Sequence, residues 1–316
     1  MANEINYGLG SDTDLASVLR GAQRLFYTDF STLSLRTGGY ASGLTTGYND
    51  PASTGLLSQN GENYMNSPGS VAESDVTWSQ LINGNYSNWR TLDPTFPSTG
   101  LVSSTANGLA LKATGGYSAI RNSLPLMSGN VPYLGSWVCT ASALKITPPF
   151  LCRVKFTLDT MGAEDFPFIA LFGEHYALDV NNPAFRHREF DLMERFGDDT
   201  AANHIASTIH TDPGTGSLVS SGGDYNTGSA IGPGILQEVV GFKSDGLDMA
   251  WFNGVLRQTL YPPAGTAWAN DRFHLAMGMR IGRSWKAYPA SAPDAQMTVR
   301  SMEFLRPFSL ANDLIP

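Results

Sequence analysis

Past Leu25 the chain breaks into short apolar or alternating runs of strand length. They include RLFYTDF, GLALKAT, WVCTASALKI, FLCRVKFTL, FPFIALF, REFDLMERF, HIASTIHT, EVVGFKS, DMAWFNGVLRQTL, FHLAMGMRI and QMTVRSMEFLRP. Successive strand side chains point to opposite faces, so a run with one apolar set predicts a half-buried strand. Gly, Pro, Asn and Ser separate the runs, and WFNGVL reads as a strand, a tight Asn-Gly turn and a return strand. No long helical period intervenes. The one helical signal is SDTDLASVLRGAQRLF, where a Ser or Asp cap precedes Leu15, Val18 and Leu19. The pattern predicts an all-β sandwich or barrel over 25–307, with a short helix or docking arm over 1–24 and a tail over 308–316.

Residues 38–100 have a different texture. They are rich in Gly, Ser, Asn and Tyr and poor in aliphatics, which reads as a long loop-rich insertion. Tyr40, Tyr48, Tyr64, Trp78, Tyr86 and Trp89 argue for an ordered surface there rather than a linker.

Charge narrows the partners. Lys plus Arg is 20 and Asp plus Glu is 28, a net charge of −8, which argues against nucleic acid as the main partner. The two cysteines, Cys139 and Cys152, have no metal-ligand spacing. A disulfide between neighbouring strands and two reduced thiols both fit them. MANEINYGLGSDTDL has neither the basic nor the apolar region of a secretory signal. No apolar run approaches the ~18 residues of a membrane helix, so no membrane span is expected.

Against this background HREFDLMERFG, residues 187–197, stands out. Glu189, Asp191 and Glu194 fall within six positions of a chain that is only 15% charged. In a strand Glu189 and Asp191 share a face, and Glu194 points the other way. One β-bulge between Asp191 and Glu194 brings all three together. Crowded carboxylates cannot all ionise cheaply, so one pKa rises into the range of a general acid. Retaining glycosidases use two carboxyls roughly 5–5.5 Å apart, one as nucleophile and one as acid/base. Two other readings stand beside the catalytic one: a solvated acidic strand edge, and a calcium site, although the Gly-bearing spacing of a calcium loop is missing.

EFDLMERFG resembles the E-x-D-x-x-E signature of family 16 glycoside hydrolases, the laminarinase, agarase and carrageenase-like group with a bulged catalytic strand. The likeness continues in order. RLFYTDFSTLSL is similar to the opening strand, GENYMNSP to the segment carrying Asn-x-Glu before Tyr, and ANGLALKAT to the strand that follows. ASALKITPPFLCRVKFTL resembles the strand pair before the catalytic region. DFPFIALF resembles the Trp-Pro-Ala-x-Trp strand, with Phe for Trp. HIASTIHT resembles the His-bearing strand, DGLDMAWFNGVL the Asp-Gly hairpin, and IGRSWKAYP with QMTVRSMEFLRP the Gly-x-x-Trp loop and closing strand. The resemblance spans residues 25–307.

That resemblance implies a concanavalin-like β-jelly-roll sandwich with a concave substrate groove. It implies Glu189 as nucleophile, Asp191 as proton relay and Glu194 as acid/base. His210 would sit beside the acid/base, and Trp285 would stack on a sugar ring. Trp89 and Tyr64 are further stacking candidates. No cofactor is required; a structural calcium is implied, with no ligands assigned here.

The sequence also departs from the family. The Asn that often precedes the Gly-x-x-Trp loop is absent from MGMRIGRSW, and Arg280 and Arg283 stand where many members have small or neutral residues. With Arg186, Arg188 and Arg195 around the catalytic strand, these suggest a groove for an anionic polysaccharide, because Arg pairs bidentately with carboxylate or sulfate; surface arginines paired with nearby acids are the plainer reading. The expected activity is a retaining endo-glycosidase on a β-linked, anionic polysaccharide. The rival is a carbohydrate-binding or structural protein on the same fold with weak or no catalysis. The expected location is extracellular or virion-associated, as in a virion-borne depolymerase docked to a larger assembly through residues 1–24.

Overall fold

The computed structural model describes residues 14–31, 34–36, 63–64, 77–83, 89–91, 101–114, 135–140, 144–160, 165–173, 188–195, 203–211, 219–228, 231–244, 246–262, 272–281 and 293–307. For 34–36, 63–64, 77–83 and 89–91, and for residues 137, 139 and 145, only the backbone is described. The helix α1 (Leu15–Leu19) comes first. The strands are β1 (Gln23–Thr28), β2 (Ser34–Arg36), β3 (Asn63–Tyr64), β4 (Thr77–Asn83), β5 (Trp89–Thr91), β6 (Val102–Thr105), β7 (Gly108–Ala113), β8 (Gly135–Cys139), β9 (Leu144–Lys145), β10 (Phe150–Thr160), β11 (Asp165–Gly173), β12 (Arg188–Glu194), β13 (His204–Thr211), β14 (Val219–Asn226), β15 (Gln237–Lys243), β16 (Asp248–Phe252), β17 (Val255–Leu260), β18 (Phe273–Ile281) and β19 (Ala295–Arg306).

Two large sheets form the sandwich. One runs β17-β16-β15-β10-β19-β7-β6, with β1 also paired to β19. The other runs β14-β13-β12-β11-β18-β8-β4-β2, with β5 on β4. A small sheet joins β3 to β9. Pairing is antiparallel except for β2 with β4 and β3 with β9. This is the expected jelly-roll sandwich. Three strands, β3, β4 and β5, fall inside the segment 38–100, and β4 and β5 extend the nine-stranded sheet.

Alternation builds the core. From β10, Phe150, Cys152, Val154, Phe156 and Leu158 point between the sheets and meet Phe190, Leu192, Leu275 and Met277 from the other side. Phe150 meets Phe304 edge-on at 5.6 Å, a favoured aromatic geometry. The turn of WFNGVL forms as expected: Asn253 and Gly254 have φ of 50° and 81°, the pair of positive values a two-residue type I′ hairpin needs. Cys152 is a free, buried thiol on the eight-stranded sheet, whereas Cys139 lies on the nine-stranded one.

The outer face of the eight-stranded sheet is divided. Arg24, Glu303, Arg153 and Glu238 form a belt of ion pairs across four strands at 2.7–3.1 Å. Beside it lies an apolar patch of Leu151, Val240, Phe242, Met249, Trp251 and Leu305, covered by Leu15 and Val18. Asp14 caps α1, its carboxylate accepting from the Ala16 amide at 3.2 Å. The helix expected to serve as a docking arm thus packs on its own sandwich.

Candidate active site

The acid cluster lies on β12, and the strand is built around a conflict. Phe190, Leu192 and Met193 are all fully buried in the core. Glu189 and Glu194 are half-buried, and Asp191 is 2% exposed. A regular strand cannot place Leu192 and Met193 on one face. The ladder shows the solution: Asp191 pairs with Thr208 and Glu194 with Ala206, three steps on β12 against two on β13. On the other flank Ile169 pairs with Met193 and Ala170 with Asp191. The extra residue is a β-bulge, and it returns Glu194 to the face of Glu189 and Asp191. Ser207 Oγ donates to the Asp191 carbonyl at 2.9 Å and pins the bulge. Leu192 reaches across to Gly241 of β15, where a Cβ would stand 2.1 Å from its Cδ2, so only a bare backbone admits it.

His210 is directly opposite Glu189 in the ladder. Its Nε2 lies 3.2 Å from Asp191 Oδ2, and its Nδ1 lies 2.6 Å from Ser220 Oγ. Donor atoms of Glu189, Asp191 and His210 fall within 4.8 Å of one another. Burial pushes the Asp191 carboxyl well above the usual carboxylate range, and the adjacent Glu189 charge and hydrogen bond push it further. Glu194 is raised as well, first by burial and then by the charges of Asp191 and Glu189; His210 and Arg280 oppose the rise. Both shifts favour the protonated forms of Asp191 and Glu194 relative to ordinary carboxyls.

Arg280 belongs to this site. It is 7% exposed, and its guanidinium lies 4.3 Å from the Phe166 ring centroid and 5.9 Å from that of Phe168. It acts on Glu194 as a stacked, buried cation. Arg188 opens β12 and is half-buried, and Arg195 follows the strand directly and is 6% exposed. Trp89 lies on β5 and Tyr64 on β3, neither adjacent to β12 in its sheet. Arg186, Arg283 and Trp285 lie outside the described residues. Ser220 and the whole of β14 were not foreseen, because VSSGGDYN has no apolar alternation to mark a strand.

The Glu189, Asp191 and His210 trio has the side-chain types of a metal centre. Calcium takes six to eight oxygen ligands, and here one of three donors is an imidazole and another a carboxyl inclined to hold its proton. The trio does not fit calcium.

No protein-family model matches the sequence, and no curated protein is similar to it. Its fold is found among solved structures. A GH16 protein of the Bacteroides ovatus mixed linkage glucan PUL, in complex with a product, superposes with a TM-score of 0.55 at 13% identity, covering 74% of this chain and 96% of its own. LamAcat from Zobellia galactanivorans gives 0.55 at 12% identity, covering 72% and 90%. SCLam, a non-specific endo-β-1,3(4)-glucanase from family GH16, gives 0.51 at 15%, covering 66% and 75%. The fold is that of the family 16 glycoside hydrolases.

Proposed function

We propose that this chain is a retaining endo-glycosidase that cleaves a β-linked polysaccharide by double displacement. The observation that carries the reading is the bulge in β12, which gathers Glu189, Asp191 and Glu194 beside His210 on the face of the sheet turned away from the core. A structural strand gains nothing from this arrangement: it concentrates three acids where burial makes their charge costly.

Glu189 attacks the anomeric carbon while Glu194, protonated, gives its hydrogen to the departing glycosidic oxygen. The sugar is then held as an ester on Glu189. Glu194, now a carboxylate, takes a proton from water, and the water oxygen displaces Glu189. Asp191 donates a hydrogen bond to Glu189 and releases it as the negative charge on Glu189 is consumed and restored. The solved structures of this fold include glucan-active enzymes by name, which supports a β-linked glycan as the substrate class. Arg280, with Arg283, carries the extension of the proposal to an anionic chain.

The test is product analysis on neutral and acidic β-linked polysaccharides, with wild type beside Glu189→Gln and Glu194→Gln. Chain shortening with retained anomeric configuration, and loss of at least ~10³-fold in both variants, is the expected result. Binding without cleavage by wild type would instead identify a carbohydrate-binding protein on this fold.

A further inference from the structure

Asp191 is 2% exposed, and one of its oxygens is left over. Oδ2 is shut off from solvent and has no hydrogen-bond partner. An unmet buried carboxylate oxygen is costly, and it marks a place where a ligand completes the structure. His210 Nε2 lies 3.2 Å from this oxygen without a hydrogen bond between them. The in-plane direction of the nitrogen therefore passes beside Oδ2 rather than through it. A bent pair at this separation is what two ligands of one metal ion show. Each stands about 2.0–2.2 Å from a tetrahedral ion, so the two lie roughly 3.3–3.6 Å apart. Glu189 supplies a third donor atom, and all three lie within 4.8 Å of one another.

The donor types choose the ion. Calcium wants more oxygens than this set holds. One imidazole and two carboxylates are the mixture zinc accepts, with its fourth position left for water. Two carboxylates also balance the charge of a divalent ion. His210 Nδ1, the nitrogen turned away from the acids, is 2.6 Å from Ser220 Oγ. A metal-bound histidine commonly gives its other N–H to an acceptor that fixes the ring, and the Ser220 oxygen is placed to accept it. Ser220 is held there by the register of β14. Gly222 has φ of 121°, and a Cβ on it would stand 2.3 Å from the Ser207 carbonyl oxygen, so only glycine lets β14 close onto β13 with Ser220 opposite His210. Glu189 and His210 are half-buried rather than sealed, which leaves an ion a way in.

We propose that Glu189, Asp191 Oδ2 and His210 Nε2 form a binding site for a zinc-type divalent ion, and that the bound ion blocks the site by occupying the Glu189 carboxylate. The ion replaces the hydrogen bond between Glu189 and Asp191. The blocking rests on the reading of Glu189 as nucleophile; the binding does not.

The experiment is calorimetric titration of the full chain with zinc chloride, repeated in excess calcium chloride, beside hydrolysis assays with and without zinc. Wild type is expected to bind one zinc per chain, to keep it in excess calcium and to lose hydrolysis as the site fills. Ser220→Ala is expected to bind zinc ~10–100-fold more weakly, the usual worth of a group that orients a ligating histidine, and Ser220→Thr to restore it. His210→Gln removes a ligand and is expected to lose more than that ~100-fold. Melting curves without metal check that each variant is folded. Zinc bound equally well by wild type, Ser220→Ala and His210→Gln sits elsewhere, as at His204 on the same strand, and overturns the inference. Displacement by calcium overturns it too. Zinc that fills the site while hydrolysis continues overturns the blocking of Glu189. Zinc that binds as expected to a chain that cleaves no polysaccharide upholds the metal site and overturns the glycosidase reading alone.

Discussion

Glu194 sets how any activity of this site depends on pH. Its carboxyl is raised above the ordinary 4.5 by burial and by Asp191 and Glu189. A general acid works only while protonated, so kcat/KM is expected to fall as pH rises through that elevated value, as a rate–pH profile would show. The same shift has a stability consequence. A folded-state pKa above the unfolded one means the native chain holds the proton more tightly. That stabilisation is full below the unfolded value and is lost as pH climbs through the folded one. Glu194→Gln and Asp191→Asn are therefore expected to raise Tm at pH 8 and to change it much less at pH 4, with each kcal/mol gained appearing as about 2–4 °C in thermal melts. A Tm at pH 8 equal to or below that of wild type would refute this account of the shifts. At this scale the three acids were legible in the sequence because nothing else in so sparsely charged a chain is so dense. Ser220 was not: a serine in a Gly- and Ser-rich run has no signature, and its partner is decided by a register ten residues away.

Strand β12 is where side-chain packing and chemistry meet. The bulge was inferable because three acids at i, i+2 and i+5 cannot otherwise share a face, but its support was not, since Gly241 comes from the opposite sheet. Gly241→Ala is expected to overpack Leu192, costing about 1–3 kcal/mol in denaturant melts. Its effect on kcat should exceed that of Leu192→Ala, which leaves a cavity worth about 2–5 kcal/mol but does not push on the bulge. Equal kcat for the two variants would separate bulge geometry from activity. Strands β10 to β13, β15, β16, β18 and β19 announced themselves because burial on one or both faces writes apolar alternation or an unbroken apolar run into sequence, and the half-exposed β17 was marked by the Asn-Gly turn before it. β14 buries little on either side, and β4 lies in a stretch read as loop, so pairing with neighbours makes these strands where pattern does not.

The molecule as a whole uses α1 as a plug. Leu15 and Val18 seal an apolar patch that includes the fully buried Trp251. Val18→Asp is expected to cost at least about 1.5–3 kcal/mol, the worth of burying one aliphatic side chain, and to raise dye binding and light scattering as the patch opens. An unchanged melt and a monodisperse solution would show that the plug is dispensable. The sandwich itself was legible because its many strands repeat one signal, and the order of pairing within each sheet was not, since partners lie far apart in the chain. That order has a temporal side. Among the described strands β18 alone links β11 to β8, and β19 alone links β10 to β7, so each sheet is two half-sheets until its late strand arrives. While the ribosome is still adding residues 273–306, four strips of strand wait with open edges, exposed to chaperones and to one another. The native state of this domain therefore waits on its last two long strands, and how much of it a cell recovers depends on the time during which those edges go unpaired.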